Sequence, residues 1–134
     1  MSRRLRRAAA CAALTAASVS AIGASTANAY VTTDITNFNL TESTSTYNGG
    51  GPFHISQSGG GPVAYRWVDS PSKPTVISGN SCSDLGLFGK SSYSAGATSY
   101  HQLFYGFVGQ CFVLRGRTAD GYGSMNLHDG RVRR

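Results

Sequence analysis

The sequence predicts an all-β domain, a small antiparallel β-sandwich or barrel held by one disulfide. Three observations carry this. Short runs of alternating apolar residues recur between Gly-, Pro- and Ser-rich turns. No stretch after residue 29 places apolar residues at helical spacing. Two cysteines, Cys82 and Cys111, remain once an N-terminal export segment is set aside.

That segment is residues 1–29. Arg3, Arg4, Arg6 and Arg7 precede an alanine-rich, weakly apolar run, and Ala27-Asn28-Ala29 supplies the small residues of a cleavage site. The run is too short and too weakly apolar to read as a membrane span. Leu5-Arg6 lacks the apolar pair a twin-arginine signal needs, so general secretion is expected, with cleavage between Ala29 and Tyr30. The mature chain, residues 30–134, is then a single extracellular domain. In an oxidising compartment Cys82 and Cys111 are expected to pair.

The net charge of +6 belongs mostly to the part removed. Eight basic residues then face six acidic ones, and three of the eight are Arg131, Arg133 and Arg134 at the chain end. No nucleic-acid partner is expected for so weakly charged a body. The terminal run after Asp129-Gly130 reads as a frayed, solvated tail.

The apolar centre is His101–Arg117. Leu103, Tyr105 and Phe107 alternate with other residues, Gly109-Gln110 offers a two-residue turn, and Asp120-Gly121 offers a second. Together these predict a three-stranded antiparallel meander over about residues 100–128. Its core face would carry Leu103, Tyr105, Phe107, Phe112, Leu114, Met125 and Leu127. The opposite face would carry Gln102, Phe104, Arg115, Arg117, Asn126 and His128, the candidate binding surface.

Around this centre, Val31, Ile35, Phe38 and Leu40 mark a strand, bulged between Ile35 and Phe38. Residues 42–46 read as a polar connector. Two Gly-Gly-Gly-Pro runs, at residues 49–52 and 59–62, introduce short strands through Phe53-His54-Ile55 and Val63–Trp67, each proline suiting an edge strand rather than a central one. Trp67 is expected in the core. Thr75–Ser78 is a buried strand, Leu85, Leu87 and Phe88 plug the core from a loop near the disulfide, and residues 90–97 form a turn-rich connection.

Chemistry is sparse. His54, His101 and His128 have no metal-ligand spacing, and no metal or cofactor is expected. Most aspartates fall in turns, where conformation accounts for them. No strained Gly-x-Ser-x-Gly turn presents a nucleophile. The main functional reading is a small secreted, non-catalytic binding protein, an inhibitor or antibacterial factor, with a protein or surface glycan as partner. One alternative is a secreted nuclease using His101 and His128 with Arg115 and Arg117. The other is a structural coat or matrix protein.

Overall fold

A computed structural model describes residues 30–134. The expected export segment, residues 1–29, lies outside the described residues. Nine strands run β1 (Thr32–Leu40), β2 (Ser45–Thr46), β3 (Phe53–His54), β4 (Gly61–Trp67), β5 (Thr75–Ser81), β6 (Leu87–Tyr93), β7 (His101–Gly106), β8 (Cys111–Thr118) and β9 (Met125–Arg133). No helix occurs among the described residues, so none there is long and apolar enough to cross a membrane.

The strands form two antiparallel sheets. Sheet A has the order β1-β9-β4-β7, and sheet B has β2-β8-β5-β6 with β3 also paired to β8. The chain changes sheet at almost every connection; only β5 and β6 are consecutive strands joined as a hairpin within one ladder. This alternation is the jelly-roll form of the double Greek key.

The expected meander is therefore corrected. Its three strands exist, and Gly109 and Gly121 do take positive φ. But β7 pairs with β4, β8 with β5, and β9 with β1 and β4. Both turns carry the chain between sheets instead of folding it back on its neighbour. A turn residue fixes a reversal of direction; it does not fix the partner.

The facing of β8 follows the alternation: Phe112 and Leu114 are fully buried while Cys111, Val113, Arg115 and Arg117 are half-buried on the other side. In β7 the alternation breaks. A bulge against β4, between Val63 and Ala64, lets Leu103 and Phe104 both turn inward and moves Tyr105 out of phase. Tyr105 and Phe107 are exposed at 68% and 67%, and Phe104, expected outside, is in the core. In β9, Met125 is buried, but the backbone is kinked at Leu127 (φ 53°), opposite irregular pairing in β1, and Leu127 is exposed.

The bulge expected in the first strand lies between Ile35 and Phe38, and a second irregularity follows between Phe38 and Leu40. Pro62 opens β4, a central strand, contrary to the edge expectation. It does so where only β7 flanks it, because pairing with β9 begins at Ala64. Leu85, Leu87 and Phe88 do not plug the core; all are exposed, and residues 87–93 are strand β6 rather than loop and connection. Ser45-Thr46, read as connector, forms β2.

The terminal arginines are corrected most sharply. They are no tail. Arg131, Val132 and Arg133 sit in β9, between β1 and β4, and Val132 is fully buried. Val31 and Arg134 then exchange backbone hydrogen bonds, each 2.9 Å.

Aromatic residues fill the space between the sheets. Trp67, buried as expected, stands edge-on to Tyr65 at 5.2 Å and donates its indole N–H to the Thr75 hydroxyl at 2.9 Å. Tyr93 donates its hydroxyl to the Tyr65 carbonyl at 2.7 Å. The Cys82–Cys111 disulfide ties the hairpin turn after β5 to the start of β8, one step beyond the Ser81–Phe112 pair.

On one side of the sandwich the sheet edges β6 and β7 abut. Gly89 makes this possible: a Cβ there would run into the Leu103 carbonyl oxygen, and one at Gly79 into the Phe104 ring. Because the Leu103 oxygen is backbone, Gly89→Ala should destabilise the domain by about 1–3 kcal/mol, as overpacking does. Thermal or denaturant unfolding measures this; an unchanged midpoint would mean that the edges do not touch.

Candidate functional site

The six residues expected on one binding face are dispersed by the sheet alternation. Gln102 lies exposed on the outer side of sheet A and Phe104 lies in the core. Arg115 and Arg117 lie on the outer side of sheet B, beside Lys90 around a hollow of about 220 Å³. Asn126 and His128 lie on β9 of sheet A. The face assumed that β7, β8 and β9 share one sheet, and they do not.

The same separation parts the residues of the nuclease alternative. Arg115 and Arg117 are in sheet B, whereas His101 and His128 are in different strands of sheet A. Each histidine is held by packing. His101 stacks on Tyr93 at 4.4 Å, with Nδ1 3.0 Å from the Ser92 carbonyl oxygen. His128 stands edge-on to Trp67 at 6.0 Å, its Nδ1 3.9 Å from the Asp69 carboxylate, beyond hydrogen-bond reach. The Asp69 and Asp129 carboxylates each accept a backbone N–H, from Asp129 and Asn37. Burial pushes the Tyr65 and Tyr93 hydroxyls above their ordinary pKa, so both stay protonated near neutrality. The described groups thus stabilise the frame more than they converge on a reacting atom.

Three other surfaces stand out, each positioned by strand direction. The first is one pole of the sandwich. The start of β1, the end of β9, the loops at residues 55–60, 82–86 and 107–110, and the disulfide all meet there. Leu85, Leu87, Phe88, Tyr105, Phe107 and Val108 are exposed at this pole, with Tyr30 and Val31 nearby. Phe88 packs on Phe104 at 5.3 Å, so the tip of β6 adjoins the end of β7 and the apolar groups wrap one corner. The only carboxylate in these loops is that of Asp84, held below its usual range by the Gly86 backbone N–H.

The second is the outer side of sheet A. Alternation around the buried Val132, Tyr65 and Trp67 forces Arg131, Arg133 and Arg66 outward together. The Arg133 guanidinium lies 4.6 Å from the ring centres of both Tyr30 and Tyr100, and that of Arg66 lies 5.3 Å from Tyr100. Arg131 Nε bonds Asp34 at 2.6 Å. The third is a cleft of about 490 Å³ between the edges β1 and β2, lined by Asn37, Asn39, Ser45, Tyr47 and Asn48 among others. Asn37 holds φ 56° there, a conformation asparagine tolerates better than most residues.

Sequence reasoning missed the arginines of sheet A although a signal was present. Arg131-Val132-Arg133 is an alternation of period two, hidden because it ends the chain; Arg66 stands between two buried aromatics.

No protein-family model matches the chain, and no curated protein matches it in sequence. A solved structure from work on the disulfide-linked pili of Bacillus endospore appendages is similar at a TM-score of 0.45. Identity is 11%, covering 95% of this chain and 96% of that one. A likeness of that degree decides nothing about function.

The placements are separable by mutation. Phe104→Ala should cost about 3–5 kcal/mol, as truncation of a core phenylalanine does. Arg115→Gln with Arg117→Gln, on the outer side of sheet B, should cost no more than about 1 kcal/mol, since the Arg117–Asp120 pair at 2.6 Å is an exposed ion pair. Chemical denaturation of the two variants checks this, and the reverse order of stabilities would contradict the assigned faces.

Proposed function

We propose that the chain is an exported, non-catalytic β-sandwich whose work is assembly, a structural coat or matrix protein whose copies associate through the apolar pole. Export rests on the N-terminal segment, with cleavage after Ala29. The observation that carries assembly is the exposed corner formed by Leu85, Leu87, Phe88, Tyr105, Phe107 and Val108. These side chains leave on the order of 600 Å² in water, against about 800 Å² per partner in a standard interface and a few hundred Å² for an ordinary surface patch.

Two features favour a second copy as the occupant. The six corner residues are themselves uncharged. Asp84 lies in the adjoining loop and Lys90, Arg115 and Arg117 lie beside Leu87 at the margin, so a second copy can cover the centre of the patch without burying a charge. The corner also sits on a rigid support, because the disulfide, the β6–β7 contact and the Phe104 wedge fix its loops to both sheets. A pre-formed patch gives up little conformational entropy on association. His101 and His128, packed against aromatic rings on separate strands of sheet A, favour a non-catalytic reading.

The test is sedimentation over a concentration series. Wild type should shift to larger species as concentration rises. Tyr105→Ser with Phe107→Ser, both at exposed positions, should keep the native fold and sediment as a monomer throughout. A wild-type chain that stays monomeric at millimolar concentration would sink the assembly reading.

A further inference from the structure

We infer that the outer side of sheet A is a binding site for an anionic glycan, a linear polymer whose sugars carry carboxylate or phosphate groups, with Arg66 and Arg133 as its anion receptors. The assembly reading is not needed for this, since Arg66 and Arg133 are not among the six apolar residues of the corner.

Charge is the first support. Arg66, Arg131 and Arg133 point outward from neighbouring positions of β4 and β9, and the only carboxylate paired among them is that of Asp34, taken by Arg131. Among the described residues, Arg66 and Arg133 make no ion pair and no hydrogen bond, and the Nε of each is buried without a partner. Both guanidinium groups lie against the Tyr100 ring, at 5.3 and 4.6 Å, so two like charges are held close together. Stacking on tyrosine removes part of their water, so an arriving anion meets less competition than at a free surface arginine. A guanidinium fork binds planar carboxylate or phosphate oxygens through two parallel N–H donors.

The setting favours a sugar chain over other anionic polymers. Tyr30 is exposed and flanks Arg133, while Thr32 and Gln102 are exposed neighbours on the same side, able to pair with hydroxyl groups. A nucleic acid would need many more neutralised phosphates than two unpaired arginines supply, and it would need free aromatic faces for its bases. Tyr100 already carries Arg66 and Arg133, and Tyr30 carries Arg133.

The experiment measures retention of the purified chain by alginate, by a phosphomannan, by neutral dextran and by single-stranded RNA. Binding to one or both of the first two, at least tenfold tighter than to dextran and weakened by salt, is expected. Which of the two binds names the anionic group. Arg66→Gln with Arg133→Gln should reduce that binding at least tenfold while circular dichroism stays native. If that variant loses its fold, Arg66→Lys with Arg133→Lys replaces it, and loss of the fork at retained charge should still weaken binding. The inference is overturned by equal retention on dextran, by no retention on either anionic polymer, by RNA binding tighter than both, or by folded variants that bind as wild type.

Discussion

The structure depends on the chain's last strand lying inside a sheet. β9 pairs with β1 on one side and with β4 on the other, so sheet A becomes continuous only when residues 125–133 are in place. Without it, β1 would have no ladder and the β4–β7 pair would stand alone. An isolated two-stranded pair is marginal in water, whereas a four-stranded sheet with one buried face is not. Val132 stands opposite Tyr65 across the β9–β4 ladder, and Tyr65 in turn meets Tyr93 of sheet B. Val132 sets the site: the arginines on either side of it face outward because it faces in.

This placement explains which parts of the fold were legible in the sequence. Alternation reports which side of a strand is buried, and it did so for Phe112, Leu114 and Met125, and for the bulge after Ile35. It says nothing of which strands are neighbours. In a fold whose chain changes sheet at nearly every turn, reading successive strands as hairpins selects wrong partners even where the facing is right. The Val108–Cys111 stretch shows it: Gly109 turns the chain as expected, but Gly109 and Ile55 close the backbone hydrogen bond, N–H to carbonyl, that links the turn to the loop after β3. The bulge at Leu103 is a tertiary event between β4 and β7. Nothing local to His101–Gly106 announces it, and it decides whether Phe104 or Tyr105 is core.

The candidate site was less legible than the fold. Six residues collected on one imagined face belong to two sheets and the core, because their grouping inherited the wrong partners. What replaced that face rests on the same rule of alternation, applied to neighbours the topology supplies. Two surfaces with different chemistry result, an apolar corner at the disulfide pole and a basic, tyrosine-lined sheet face. Both are carried by a frame in which His101 and His128 are packed against aromatic rings.

Native-state hydrogen exchange tests the central constraint most directly. If β9 is an interior strand, the amides of Arg131, Val132 and Arg133 exchange only through global unfolding, as slowly as those of β4 and β8. Exchange of these three amides at the rate of a frayed terminus, while β4 and β8 remain protected, would contradict the account.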